Sequence, residues 1–297
     1  MTKPFSEYGG EVMKNDFYEL SLFNDVESLR DRELINLRKI KMQKESWFKL
    51  DDIMKDLQAV RKIFHSEDDL KFSLANVIKD RYKNSEVRLE RPSKIDMTLK
   101  RDDKEKPKGK TISIDITVFK DKECRDKDII FLELKYKTRI LECDIDGDKY
   151  HLTNQGAVDI GRFLFRKDIY RLEQAIKKLP NSNCKGYFIV ITNDAGYEKD
   201  ISESKKLLNT NYSFHNQLKL AKLDPGWNYK KDGAYVSDVK HPDKGDKHWS
   251  CRGSMAYKLN LRNEYIINWQ KYSEISQQDV EEGKDLIFRH CIIEVNE

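Results

Sequence analysis

The chain of 297 residues contains no run of roughly 18 apolar residues, the length that a membrane-spanning helix needs. Its first residues lack the apolar stretch of a secretory signal, so we expect a cytoplasmic protein with no membrane partner. The five cysteines are scattered and form no CxxC pair, which argues against a disulfide scaffold and against a thiolate zinc site. Free thiols are typical of a reducing cytosol.

Proline and glycine are also scarce, at 6 and 13 residues, so we expect no long flexible linker. No glycine-rich phosphate loop is present, which argues against nucleotide-driven translocation. Positive and negative charges are nearly balanced. The chain has 56 Lys and Arg residues and 52 Asp and Glu residues, which gives a net charge of +4. This balance does not by itself predict a polyanionic partner. Any interaction with nucleic acid must therefore depend on where the basic residues lie.

The chain does contain enough apolar side chains for a folded core, with 38% hydrophobic and 10% aromatic residues. Residues 1–65 have helical periodicity, and Ser66 followed by three acidic residues predicts the start of another helix. Strand-like and helical patterns alternate from there to about residue 195. We predict an α/β fold with an N-terminal helical segment (1–65), a core (66–195) and a C-terminal extension (196–297).

Five segments define the predicted core by their periodicity or turn residues. They are two strands (112–118 and 129–136), a hairpin around Asp146-Gly147 (139–152), a helix (156–179) and a buried strand (184–192).

Two charged residues, Glu133 and Lys135, interrupt the apolar strand and point to the same face, because residues i and i+2 of a strand do. If the preceding strand pairs with this one as a hairpin, Asp115 can lie beside them. Two converging carboxylates repel each other unless a cation neutralises them, and Mg²⁺ prefers such oxygen ligands. A lysine beside them can hold the attacking water. The alternative interpretation is a structural Glu–Lys pair on a half-exposed strand.

Asp115 followed by Glu133-x-Lys135, within IIFLELKYKTR, resembles the PD-(D/E)xK nuclease superfamily. The segment from Tyr150 to Glu173 is similar to one bacterial branch of that superfamily, whose role is unassigned. In the family, a helix precedes a hairpin that carries the Asp and the ExK triplet, and a further helix and strand complete the core. Over about 66–194, the resemblance therefore implies a restriction-endonuclease-like mixed sheet flanked by helices.

By position, the resemblance implies that Asp115 and Glu133 are metal ligands and that Lys135 is the catalytic lysine. Glu67 resembles the additional acidic residue that many members place near the metal. Its alternative role is to stabilise the first turn of its helix. Gln155 resembles the glutamine that some members use after the lysine, and its alternative is a polar residue at a hairpin end.

The sequence departs from the family pattern because no Pro-Asp pair precedes the hairpin at Asp115. Pro92 and Asp96 lie on an earlier strand instead. Asp96 is therefore the rival metal ligand, although Asp115 is closer to Glu133 in sequence and lies on the more regular strand.

Basic residues that follow Gln155 on the predicted helix could contact a phosphate backbone: Arg162, Arg166, Lys167 and Arg171. The first two are four residues apart and share a helix face. A basic loop at 100–110 could contribute as well. The alternative interpretation is a solvated helix face, because acidic residues are interleaved with these basic ones.

The resemblance implies a Mg²⁺-dependent phosphodiesterase, for which Mn²⁺ is expected to substitute. The expected substrate is DNA, cut to leave a 5′-phosphate in bacterial defence or DNA processing. Cutting both strands with one site per chain requires a homodimer or two encounters. The alternatives are an RNase or structure-specific nuclease of the same fold, and a catalytically inactive nucleic-acid-binding or interaction module.

Overall fold

A computed structural model describes residues 46–97, 108–125, 127–180, 182–204, 207–231, 234–238, 244, 247–248, 250, 255 and 257–297. The chain divides into two compact units, Met1–Lys49 and Leu50–Glu297. Most of the predicted N-terminal helical segment, residues 1–45, lies outside the described residues.

Three α-helices lie within the described residues: α1 (Leu50–Val60), α2 (Glu67–Arg81) and α3 (Val158–Lys177). The predicted start of α2 is confirmed, because the Ser66 hydroxyl accepts a hydrogen bond from the Asp69 N–H at 3.1 Å. None of the described helices is long and apolar enough to cross a membrane.

The described strands are β1 (Glu86–Met97), β2 (Lys108–Phe119), β3 (Asp128–Lys137), β4 (Leu141–Ile145), β5 (Asp148–Leu152), β6 (Asn183–Thr192), β7 (Lys219–Leu220), β8 (Trp227–Lys231), β9 (Ala234–Asp238), β10 (Tyr265–Ile266), β11 (Trp269–Glu274), β12 (Val280–Gly283) and β13 (Ile287–Val295). Six of them form a mixed sheet in the order β1-β2-β3-β6-β13-β11. Strands β3 and β6 are parallel, and the other neighbours are antiparallel. The α/β class with a mixed sheet is therefore confirmed.

Helix α3 covers one face of this sheet with aromatic and aliphatic side chains. Phe165 and Leu172 belong to the same buried cluster as Phe131 of β3 and Phe188 of β6. The helix approaches β6 closely at Gly186, where an added Cβ would lie 3.2 Å from the Leu172 side chain. Because side chains alternate along a strand, the odd-numbered residues of β3 point toward α3. The even-numbered residues point to the face where α2 packs.

The C-terminal extension supplies part of the main sheet. Strand β13 pairs with β6, and β11 pairs with β13. The segment also binds the polar side chains of α3. The Glu173 carboxylate accepts hydrogen bonds from the backbone N–H groups of Arg262 and Asn263 and from the Tyr265 hydroxyl. These contacts hold α3 in place over the sheet.

Candidate functional site

The strands β2 and β3 separate where the predicted acidic residues lie. Their backbone pairing ends at Ile116. Beyond this point, Oδ2 of Asp115 accepts a hydrogen bond from the backbone N–H of Leu134 at 2.7 Å. Leu134 lies between Glu133 and Lys135, so this hydrogen bond brings the Asp115 carboxylate next to both. The splayed end of the hairpin therefore carries two acids and an amine.

Glu133 and Lys135 meet two charged side chains of α3, Asp168 and Arg171. Arg171 Nη2 lies 3.2 Å from Glu133 Oε1, and Arg171 Nη1 donates to Asp168 Oδ1 at 3.0 Å. The other oxygen of Asp168 lies 3.3 Å from Lys135 Nζ. Residues three apart on a helix share a face, as do residues two apart on a strand. Three ion pairs thus link the four side chains with alternating charge, and strand β3 joins Glu133 to Lys135 at the two ends; the group is here named the charged ring.

Helix α2 adds Glu67 and Lys71, one turn apart. Glu67 Oε1 lies 3.3 Å from Lys135 Nζ, and Oε2 accepts a hydrogen bond from the backbone N–H of Tyr136 at 3.0 Å. Lys71 Nζ lies 3.3 Å from Asp115 Oδ1. Glu67 is therefore close to the charged ring, in the neighbourhood that the resemblance implies.

The backbone is strained beside Asp115. Glu90, in the middle of β1, has a φ of 49°, in the left-handed region that residues other than glycine rarely adopt. The pairing between β1 and β2 continues on both sides of this position but omits Glu90 and Asp115. The Glu90 carboxylate contacts the Lys71 ammonium group. Strained backbone of this kind is concentrated at functional sites.

The pKa values of Glu133 and Lys135 are both raised, for different reasons. Burial, assisted by the charge of Asp168, raises the pKa of the Glu133 carboxyl well above its ordinary value, although Arg171 opposes the shift. Burial lowers the pKa of the Lys135 amine, but Asp168, Glu67 and the other carboxylates outweigh it, so the net shift is upward. The Lys135 amine therefore stays protonated at neutral pH.

Two of the predicted residues lie away from the charged ring. The Asp96 carboxylate pairs with Lys178 Nζ at 2.6 Å, and both side chains are largely exposed. The Gln155 side chain is exposed, and its backbone N–H donates to the carbonyl of Thr138. Within the described residues, neither side chain has a contact with the charged ring. The geometry thus favours Asp115 over Asp96 as the acid that accompanies Glu133.

The predicted nucleic-acid-binding residues of α3 separate into two groups. Arg162 and Arg166 are buried, with 3% of each residue exposed, so they do not form the predicted surface. The Arg162 guanidinium donates to the carbonyls of Gly196 and Lys199. Arg166 donates to four carbonyls, those of Ala221, Lys222, Leu223 and Leu259. Neither guanidinium is available to a phosphate backbone, because both bind the C-terminal extension.

The other two members, Lys167 and Arg171, lie at or beside the charged ring. Arg171 contacts Glu133 and Asp168 and also donates to the carbonyl of Ser113. Lys167 is half-buried next to Asp168 in the chain. The basic loop predicted at 100–110 lies outside the described residues for the most part.

Sequence reasoning did not assign Lys71, Asp168 or Glu90 to the site. For two of them the spacing held a signal: Lys71 is four residues after Glu67, and Asp168 is three before Arg171. Such spacings place charges on one helix face. For Glu90 there was no signal, because the strain at this residue is a property of the folded backbone.

Comparisons with known proteins add nothing to this geometry. No protein-family model, curated protein or solved structure matches the chain.

Proposed function

We propose that this chain is a metal-dependent nuclease of the PD-(D/E)xK type that hydrolyses phosphodiester bonds, with DNA as the expected substrate. The observation that carries the proposal is the hydrogen bond between Asp115 and the backbone of Leu134, at the open end of the β2–β3 hairpin. It brings the three residues of the family motif together. A role in bacterial defence or DNA processing follows from the same resemblance, and the scattered cysteines support a cytoplasmic location.

The order of elements around the hairpin supports this proposal. Helix α2 precedes the hairpin, and α3 and β6 follow it, with β6 parallel to β3. This is the order that the resemblance implies for the core. Two features are additional to that order: strand β1, which lies between α2 and the β2–β3 hairpin, and the β4–β5 hairpin, which precedes α3.

The donor set suits a hard dication. Carboxylate oxygens are the ligands that Mg²⁺ prefers, and four carboxylates surround the open end of the hairpin: Glu67, Asp115, Glu133 and Asp168. The atoms Glu133 Oε1 and Asp168 Oδ2 are buried, and their ion pairs with Arg171 and Lys135 lack hydrogen-bond geometry. Buried oxygens of this kind could serve as metal ligands. Within the described ranges, however, no group of three or more His, Cys, Asp or Glu side chains is arranged to hold a metal ion.

The residues have distinct roles in the proposed reaction. Asp115 and Glu133 would hold Mg²⁺ or Mn²⁺, with Glu67 assisting, and a bound dication supplies Lewis-acid neutralisation of phosphate charge. The protonated Lys135 amine donates hydrogen bonds, so it orients a water or stabilises charge on the phosphoryl oxygens and does not act as a base. Asp168 holds this amine in place from the side of α3.

One observation favours the alternative of a catalytically inactive binding module. Each of the four carboxylates already has a cationic partner, because Lys71, Lys135 and Arg171 are distributed among them. A cluster that is fully ion-paired can be purely structural. The two functions differ in whether a dication can displace these partners.

Calorimetric titration of Mn²⁺ separates the two functions. In a Lys135→Ala background, which suppresses hydrolysis, we expect Mn²⁺ to bind in the presence of a short DNA duplex. Adding Glu133→Gln or Asp115→Asn should weaken that binding by about 10-fold or more, because changes in the outer shell of a metal site already cost roughly 10–100-fold.

The matched control is Asp96→Asn, which removes the rival carboxylate and should leave Mn²⁺ affinity unchanged. If no dication binds with DNA or RNA present, the inactive module is the correct function. If Asp96→Asn abolishes binding and Asp115→Asn does not, the metal ligands have been assigned to the wrong acid.

A further inference from the structure

Among the described residues, two lysines beside the charged ring have no partner for their amines. Lys137 follows Lys135 by two residues on β3 and therefore points to the same face. Lys167 immediately precedes Asp168 on α3. Both residues are half-buried. Within the part of the chain that the structure describes, neither amine has a carboxylate, hydroxyl or carbonyl partner.

Both amines are partly shielded from water and lie near other cations. Burial lowers the pKa of Lys137 and the charge of Lys135 adds to this effect, although the Glu67 and Asp168 carboxylates oppose it. Burial also lowers the pKa of Lys167, where Arg171, Lys110 and Lys135 act in the same direction and Asp168 opposes them. A half-buried cation without a partner is unfavourable. An anion between these amines would relieve that cost.

Two other shielded amines close to the same sheet are paired. Lys71 of α2 contacts Asp68, Glu90 and Asp115. Lys185 of β6, with 29% of its side chain exposed, pairs with Glu294 at 3.0 Å. Among the described residues, the amines of Lys137 and Lys167 thus lack the partners that these two comparable amines have.

We propose that Lys137 and Lys167 form a phosphate-binding site for the backbone of a nucleic acid, at the rim of the charged ring. The choice of nucleic acid as the ligand rests on the proposed function. The two lysines lie on different elements, β3 and α3, that meet at the contact between Lys135 and Asp168. A backbone bound by both amines would therefore run past Lys135. Contacts of this kind position a strand without reading its bases.

The salt dependence of binding tests this site without any requirement for catalysis. The affinity of a 20-residue DNA duplex, of the matching single strand and of an RNA of the same sequence is measured by fluorescence anisotropy in EDTA, from 50 to 200 mM salt. Lys137→Gln and Lys167→Gln should each reduce the slope of log K against log salt by about 0.7–0.9. In the double variant, the slope should fall by the sum of the two single reductions.

Lys185→Gln is the matched control, because it removes a strand lysine whose amine already has a partner, and it should leave the slope unchanged. Thermal unfolding of each variant verifies that the fold is intact. Slopes that equal the wild-type slope in both single variants would overturn the phosphate site. So would a wild-type protein that binds none of the three nucleic acids, or one that binds an acidic peptide through these lysines instead.

The results also separate this site from the proposed reaction. If the slope of log K against log salt is smaller in the variants but the wild type cuts neither DNA nor RNA in Mg²⁺, the phosphate site stands and the nuclease proposal fails. If the wild type cuts nucleic acid and both slopes are unchanged, the nuclease proposal stands and the phosphate site fails.

Discussion

Replacing Lys135 by alanine is expected to lower the rate of phosphodiester cleavage by about 10²–10⁴-fold, the range found when one positioned catalytic donor is lost. The physical reason is the surroundings of the amine. Glu67 and Asp168 each lie 3.3 Å from Nζ and keep it charged and oriented. The measurement is the initial rate on a fluorescently labelled DNA duplex in Mg²⁺, repeated with RNA.

The control for this prediction is Lys185→Ala, which removes an amine of β6 that pairs with Glu294 away from the charged ring. We expect it to cleave at the wild-type rate. Urea unfolding of both variants shows whether a lower rate reflects lost structure. If Lys135→Ala is stable and cleaves within twofold of wild type, the assignment of this lysine is incorrect.

Replacing Arg166 by alanine should reduce the free energy of unfolding by about 3 kcal/mol or more, because hydrogen bonds from a charged donor contribute roughly 1.5–3 kcal/mol each. The Arg166 guanidinium donates hydrogen bonds to the backbone carbonyls of Ala221, Lys222, Leu223 and Leu259. Without it, these carbonyls lose a charged donor and the C-terminal extension loses an anchor on α3. Urea denaturation monitored by circular dichroism measures the change.

Arg81→Ala provides the comparison for Arg166→Ala. The Arg81 side chain pairs with Asp52 and Asp56 at the surface, where solvent screening leaves ion pairs with little effect on stability. We expect the Arg81 variant to unfold close to the wild-type midpoint. Equal losses in the two variants would contradict the anchoring role of Arg166. Weaker binding of DNA by a fully stable Arg166→Ala protein would restore the surface role that the sequence predicted.

Local patterns predicted much of the fold. The N-cap at Ser66 and the hairpin turn at Asp146-Gly147 both formed where the residue types require them. Asp146 and Gly147 have φ values of 55° and 88°, the left-handed backbone that Asp-Gly turns adopt. The alternating and buried strands were equally clear. These features depend on neighbours in sequence, so the sequence is sufficient to predict them.

The burial of Arg162 and Arg166 was not predictable in the same way. Arginines on an amphipathic helix usually face water. Here the C-terminal extension covers that part of α3 and presents backbone carbonyls to both guanidinium groups. Such contacts join residues more than thirty positions apart. No local sequence pattern indicates such long-range contacts.

The candidate site was predictable from the sequence only in part. The spacing of Glu133 and Lys135 predicted a shared face, an assumed hairpin placed Asp115 beside them, and the resemblance added Glu67. The register that brings Asp115 to Leu134 could not be read from the sequence, because strand pairing depends on how the hairpin opens. The contribution of Asp168 needed the packing of α3 against β3.

The most direct test of the central claim is to locate Mn²⁺ by anomalous diffraction in crystals of the Lys135→Ala protein grown with a short DNA duplex. We predict a peak bonded to carboxylate oxygens of Asp115 and Glu133, with a phosphate of the DNA beside it. A map without a peak at these two acids, or with the ion bound by Asp96 instead, would contradict the account.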